Sequence, residues 1–453
     1  MKPFSLSIHI FRNDLRLFDN TALIAALEQS EQVMPVFILD EAQIPDSNGF
    51  RFLMNSLKEL DEELKMKGSQ LFIFKGIAHQ IVERLLEELP IEAIFINREY
   101  TPFSLQRDEE IANVCKQQKM KFLAYADALL TEPELVRKSD GTPYTIFTPF
   151  FNKAKQLSIP QPNGNEHRNY FSGDVKLQNN EKIQPDLFTS TNTNLRLNGG
   201  RKEGEFLLSS IDNLSDYEET RNIPSIKGTS LLSAHHRFGT VSIRETYYQI
   251  ADTFNEEHPL IRELYWRDFF THIGFHFPHV FGNAFKEKYQ QIEWATSEEN
   301  FSRWCTGTTG FPIVDAGMRE LVSTGFMHNR VRMIVASFLV KDLHIDWRMG
   351  ERIFATHLID YDPAVNNGNW QWAASTGCDA QPYFRIFNPW SQQQKFDPEC
   401  IYIKKWIPEL RIYSPKIIHK IAESPLLNSA YVQPIIKHEE EAHYSKMLFS
   451  KQV

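Results

Sequence analysis

The chain has no long apolar run. Its richest apolar stretch, Met333–Val340, is eight residues (MIVASFLV), against roughly 20 for a membrane-spanning helix, so no integral membrane protein is expected. The start, MKPFSLSIHIFRNDLR, lacks an apolar signal core followed by a small-residue cleavage site. Cysteine is scarce: Cys115, Cys305, Cys378 and Cys400 show no CxxC spacing. A disulfide framework or a zinc cluster is not expected, no metal is assigned, and a reducing, cytoplasmic setting fits. Positive charge is also lacking. The net charge of -9 gives no overall pull toward nucleic acid, so any DNA binding needs a local basic patch. Neither GxGxxG nor GxxxxGK[ST] occurs, which leaves the dinucleotide and P-loop phosphate sites without support. What remains is an ordinary globular composition, 42% hydrophobic and 24% charged over 453 residues. Aromatics are plentiful, with 34 Phe, 15 Tyr and 8 Trp.

The N-terminal part alternates. Apolar or β-branched runs at Ser7–Phe11, Val33–Leu39, Gln70–Phe74, Ala93–Asn97 and Lys121–Ala124 are separated by helical patterns at Thr21–Glu28, Arg51–Lys65, His79–Glu88 and Leu105–Gln118. That order predicts βαβ units and a parallel, Rossmann-like sheet over residues 1–130. Residues 131–200 are rich in Asn, Gln, Ser, Thr and Pro and read as an interdomain connector. Residues 201–453 read as an all-α domain. Val331, Ile334, Val335, Phe338 and Leu339 share one face, and Trp266, Phe269, Phe270 and Ile273 repeat the pattern. There is no internal repeat and no heptad run.

The densest stretch is Asp360–Pro389, DYDPAVNNGNWQWAASTGCDAQPYFRIFNP. Pro363 is expected to end the preceding helix, and Asn366-Asn367-Gly368 to form a turn that opens the next. NNGNWQWAAS, TG and DAQPYFRIFNP, with MHNRVRMIVASFLVKDLHIDWR upstream and FRNDLRLFDNTAL near the start, resemble the photolyase/cryptochrome family. Within it, the likeness is strongest to class I cyclobutane pyrimidine dimer photolyases, and it runs from Ser7 to Glu440.

The resemblance implies an N-terminal α/β domain and a C-terminal helical domain that holds FAD. It also implies blue-light repair, in which the excited reduced flavin passes an electron to the dimer and receives it back. FAD contacts are implied for Tyr217, for the hydroxyl-rich turn Thr229, Ser230, Leu231, Leu232 and Ser233, and for Asn329, Arg332, Asp360, Asp362 and Asn366. Such a turn before a helix suits a pyrophosphate. A carboxylate can accept the flavin N3–H, and the amide of Asn366, which does not titrate, can face N5. Leu231 stands where the family carries an Arg or another residue. Ala234-His235-His236 replaces the family's Pro-Tyr-Leu run.

By the same resemblance, Trp294, Trp347 and Trp370 fall at the spacing of an electron-hopping chain, with Trp370 nearest the flavin. Glu263, Trp266, Met333 and Trp372 match the catalytic pocket for a flipped-out pyrimidine pair; photolyases are among the enzymes known to extrude their target base. Arg221, Arg267, Arg330 and Arg385 match DNA-binding positions and would hold phosphates without reading sequence. Arg12, Asp14, Arg16, Asp19 and Asn20 read as structural ion pairs and helix caps. Members with a folate antenna use an Asn-Glu pair where this chain has Phe103 and Ser104, which argues against folate. A deazaflavin, a flavin or no antenna stays open.

The expected partner is ultraviolet-damaged DNA, and the expected state a monomer. Two alternatives share the fold: a cryptochrome-like photoreceptor without repair, and a (6-4) photolyase. The latter places the first of a His pair where this chain has His328-Asn329-Arg330 and lacks the Trp-Gln-Trp pattern of Trp370–Trp372. A nucleotide-binding α/β enzyme is disfavoured by the missing phosphate loops.

Overall fold

The computed structural model describes residues 2–40, 48–175, 194–423 and 431–452. Part of the connector, 176–193, lies outside the described residues. The described residues divide into two compact units, and the division is not a single cut. The first draws on Met1–Thr191, Leu197–Asn213 and Ser230–Pro278; the second on Asn192–Arg196, Leu214–Thr229 and His279–Val453.

The first unit is built on a five-stranded parallel sheet: β1 (Phe4–Phe11), β2 (Ser30–Leu39), β3 (Phe72–Lys75), β4 (Ala93–Asn97) and β5 (Lys121–Tyr125). The strand order is β3-β2-β1-β4-β5, a doubly wound arrangement that reverses between β1 and β4. The apolar runs of the sequence become strands because helices cover both faces; Ile8, Ile10, Met34, Val36 and Ile94 are all buried. The crossovers are α1 (Thr21–Gln29), α2 (Asn48–Met66), α3 (Ala78–Glu88) and α4 (Pro102–Gln117).

At the carboxyl ends of β1 and β4, where doubly wound sheets bind nucleotides, charged side chains pair across the gap. Arg12 binds Asp108, Asn13 binds Glu99, and Arg107 binds Glu99 at 2.6 Å. Burial pushes the Glu99 carboxyl up, but Arg107 and Arg12 overcome it and bring it down to about 2.

The expected caps and ion pairs after β1 are present. Asn20 caps α1 by accepting from the Leu23 N–H. Arg16 donates to Asp127 at 2.7 Å. The unit continues with α5 (Phe147–Ala154) inside the connector, α6 (Arg201–Ser209), α8 (Ser233–Phe238), α9 (Ile243–Thr253) and α10 (Pro259–His276), while α7 (Tyr217–Thr220) belongs to the second unit. Arg244 on α9 joins the buried network, binding Asp19 at 3.0 Å and Asp127 at 2.8 Å.

The second unit is helical: α11 (Glu298–Thr306), α12 (Pro312–Thr324), α13 (Asn329–Ser337), α14 (Trp347–His357), α15 (Pro363–Ala374), α16 (Pro389–Phe396), α17 (Ile401–Trp406), α18 (Pro415–Ile418) and α19 (His438–Ser450). Its core holds the expected α13 face, with Val331, Ile334, Val335, Phe338 and Leu339 all at 0–1% exposure. After Ser337 the helix widens into a π turn over Phe338–Asp342. No described helix is long and apolar enough to cross a membrane.

Candidate functional site

In the second unit, α13 and the N-terminus of α15 supply much of the expected cofactor set. His328 caps α13, its Nδ1 accepting from the Arg330 N–H at 3.2 Å. Burial, reinforced by Arg332 and Arg330, pushes its imidazole down to about 4, so it stays neutral at pH 7. One turn on, Arg332 is fixed from two sides. Its Nε donates to the Met327 carbonyl at 2.7 Å and its Nη2 to Asp360 at 2.9 Å. The amide of Asn329 lies 4.0 Å from the sulfur of Met333, as i, i+4 spacing requires.

The expectation for the stretch around Pro363 is corrected. The preceding helix ends at His357, and Pro363 opens α15 at its first position, where its missing N–H costs nothing. Asp362 is the cap, accepting from the Ala364 and Val365 N–H groups at 2.9 and 3.0 Å. Asn366-Asn367-Gly368 therefore lies inside a helix rather than at a turn. Tertiary partners explain why. Asn367 donates to the Val280 carbonyl at 3.0 Å and to Glu351 at 3.2 Å, so its amide does not compete with its own backbone. The side-chain amide of buried Asn366 makes a long bond, 3.4 Å, to the Glu351 carbonyl. Glu351 was not singled out in the sequence. Burial raises its carboxyl to about 7, against the bond from Asn367.

Tyr217 is buried with the Arg221 guanidinium 5.1 Å from its ring centroid. Gly228 closes on the end of that helix: a Cβ there would lie 2.8 Å from the Thr220 carbonyl oxygen, so only glycine lets the chain pass this close before Thr229. In the first unit, Ser230 and Leu231 continue the turn. Leu231 takes a left-handed φ of 58°, and Ser230 Oγ accepts from the Leu232 N–H at 3.4 Å. The helix that begins at Ser233 has no side-chain cap bond from Leu232. The two histidines at the departure from the family run are structural. Buried His235 pairs with Thr240 and His236 with Thr246, each at 2.8 Å. Burial brings His235 down to about 4.

Trp347, Gly350 and Phe354 share one face of α14. Trp370 packs there, 4.9 Å from the Phe354 ring and 6.3 Å from that of Trp304. Trp347 and Trp370 are buried. Trp294 is half-buried beside Phe449 at 6.0 Å, and its neighbour Ala295 bonds to the His344 carbonyl at 2.7 Å, in the segment leading to Trp347.

Met333 and Trp372 are half-buried in the second unit. Arg330 there binds Asn222 Oδ1 at 2.6 Å and covers the Phe396 ring at 4.4 Å. Burial lowers its pKa, as does the like charge of Arg221, so these two arginines are neighbours. Arg385 is exposed.

Glu263, Trp266 and Arg267 share α10 of the first unit. Arg267 donates to the Ala128 carbonyl at 2.6 Å. Asp268 accepts from the Thr131 N–H at 2.9 Å, and His272 bonds to the Thr131 carbonyl at 2.7 Å. Burial lifts the Asp268 carboxyl to about 7 despite Arg267. Trp266 lies flat on Phe147, with centroids 3.6 Å apart and planes 5° apart. Phe103 is exposed, and the Ser104 N–H donates to the Thr101 hydroxyl at 3.2 Å in the first turn of α4.

Comparison with known proteins agrees along the chain. A family model described as DNA photolyase matches residues 7–165, and one described as the FAD binding domain of DNA photolyase matches 260–451. A deoxyribodipyrimidine photo-lyase of Alkalihalophilus pseudofirmus is 37% identical, with 96% of each chain covered. The enzyme of that name from Escherichia coli is 34% identical over 95% of each. Among solved structures, an archaeal photolyase from Sulfolobus tokodaii with two FAD molecules is 43% identical at a TM-score of 0.89, covering 98% of this chain and 100% of that one. A Synechocystis cryptochrome reaches a TM-score of 0.90 at 29% identity, covering 99% of each.

Proposed function

Because the chain belongs to the DNA photolyase family, we propose that it repairs cyclobutane pyrimidine dimers in ultraviolet-damaged DNA, using FAD and blue light. It is an enzyme of the photo-lyase class and carries that family's FAD-binding domain. When bound, reduced and excited by light, the flavin supplies the electron that opens the cyclobutane ring.

The donor set suits that group. A ring with N–H and carbonyl edges needs a carboxylate, an amide and a cation; a diphosphate needs hydroxyls and backbone N–H groups. Asp360 and Asp362 would accept from the ring N–H. Asn366, only weakly bonded within the protein, would present a non-titrating amide. Arg332, held by Asp360 and the Met327 carbonyl, would place a fixed positive charge for the electron-rich ring. Thr229, Ser230 and Ser233, with the N–H groups around Leu231 and Leu232, would hold the phosphates, and Tyr217 would line the same cofactor. The observation that carries the reading is the Arg332–Asp360 bridge on the turn that leads through the Asp362 cap to buried Asn366.

Trp294, Trp347 and Trp370 would relay an electron inward. Their burial supports this, since two inner indoles are shielded and Trp294 is part-exposed. Trp266 and Trp372 would offer flat apolar surfaces to the bases, Met333 a soft contact and Glu263 an acceptor for a base edge. Arg221, Arg267, Arg330 and Arg385 would meet DNA phosphates. The second antenna chromophore is left open by this reading, with folate disfavoured.

The test is direct. The purified protein should show flavin absorption, and blue light should remove cyclobutane dimers from ultraviolet-irradiated DNA while darkness does not. Flavin photoreduction with no repair would instead make it a cryptochrome-like photoreceptor. A colourless protein that takes up no FAD would end both readings.

A further inference from the structure

Trp266 is half-buried, and its orientation comes from a helix that the sequence places in the connector. On α5, Phe147 and Phe151 are one turn apart, with rings 5.8 Å apart at 13°. On α10, Arg262 and Trp266 are likewise i, i+4. The two pairs interleave. Phe147 lies flat on Trp266 at 3.6 Å and 5°, and the Arg262 guanidinium sits 5.2 Å from the Phe147 centroid and 5.6 Å from that of Phe151. A full face-to-face overlap is what ring quadrupoles disfavour. A cation over Phe147 draws on its negative face and offsets that repulsion. Phe269, edge-on at 5.7 Å, and Phe270, at 5.5 Å, complete the setting of the indole. Phe147 itself is 1% exposed, so it cannot touch DNA and acts only through its neighbour.

We propose that Phe147 and Arg262 are positioning residues for Trp266: together they fix the plane of the indole, and so set how strongly the protein prefers a pyrimidine dimer to intact DNA. The inference rests on the reading of Trp266 as a lesion contact. Stacking rewards a surface already held in one orientation, because a ring free to turn must be ordered on binding. With Phe147 gone, the indole keeps its chemistry and loses its fixed plane.

The experiment measures, in the dark and with FAD bound, dissociation constants for an oligonucleotide carrying one thymine dimer and for its undamaged twin. Phe147→Leu should lower the ratio of the two affinities roughly fivefold, part of what stacking on an aromatic side chain is worth per base, with flavin absorbance unchanged. Phe147→Tyr, which keeps the ring, should restore the ratio. Arg262→Gln, at an exposed position where misfolding is not at issue, should lower it by a smaller factor. Trp266→Ala is the control for the premise. If Trp266→Ala lowers the ratio while Phe147→Leu and Arg262→Gln leave it at the parent value, the positioning role is wrong and the lesion contact stands. If Trp266→Ala leaves the ratio unchanged, the lesion contact itself is wrong and the inference goes with it.

Discussion

Gly350 offers a measurable link between packing and light-driven chemistry. It lies one turn after Trp347 on α14, and an added Cβ would sit 2.2 Å from Cη2 of Trp370, 2.6 Å from its Cζ3 and 2.6 Å from Cδ2 of Leu339. Carbon atoms pack best about 3.5–4.0 Å apart, so in Gly350→Ala the Trp370 ring must retreat by more than about 1 Å. It has nowhere open to go. Trp370 is 2% exposed, with Phe354 and Trp304 already against it. Overpacking of this kind costs about 1–3 kcal/mol, while replacing a mid-helix glycine by alanine returns up to about 1 kcal/mol. The expected net loss is ~1–2 kcal/mol, or a fall of about 1–2 °C in the calorimetric melting temperature of a chain of this length. Because Trp370 is the proposed inner relay, light-driven reduction of oxidised flavin should slow in the same variant. Gly164→Ala, where the new methyl meets nothing within 4 Å, should stay within about 0.5 kcal/mol of the parent. A Gly350→Ala protein as stable as the parent, or more so, with unaltered photoreduction, would refute the reasoning, since helix propensity alone would then govern the site.

Two further substitutions probe charge. The folded-state carboxyl of Glu351, at about 7, lies above its ordinary value near 4.5, so its contribution to stability is full below about pH 4.5 and is lost as pH rises through 7. Glu351→Gln is neutral throughout; it should match the parent at pH 4 and exceed it by about 1–2 kcal/mol at pH 8, solvent screening included. Urea titrations that run parallel across that range would show that Glu351 does not ionise there. Arg244→Met removes the guanidinium shared by Asp19 and Asp127. Burial raises Asp127, but Arg16 and Arg244 hold it well below the usual carboxylate range, so the variant leaves buried charge undercompensated. A loss of about 3–5 kcal/mol is expected in denaturant unfolding, and a loss under about 1 kcal/mol would mean the network adds little.

The strands were legible because each is a short apolar run whose partner strands repeat the same pattern; Ala93–Asn97 is found at both ends as expected. The α13 face was legible for the same reason at helical period. What the sequence hid depends on groups far away along the chain. Asn366-Asn367-Gly368 reads locally as a turn, and becomes helix because Val280 and Glu351 take up the side-chain amide of Asn367. Phe147 sits in a polar connector, and its stacking on Trp266, far along the chain, is not written there. A signal was present, since Phe147, Phe150 and Phe151 fall at helical spacing amid Asn and Pro, and an apolar stripe in a supposed linker is a reason to expect a helix docked on something. Glu351 carried no such signal: an acid four residues beyond a tryptophan is commonplace, and its raised pKa comes from burial that local sequence does not encode. The residues proposed for the chemistry were thus named by a long motif, whereas the settings of Phe147 and Glu351 answer to tertiary packing.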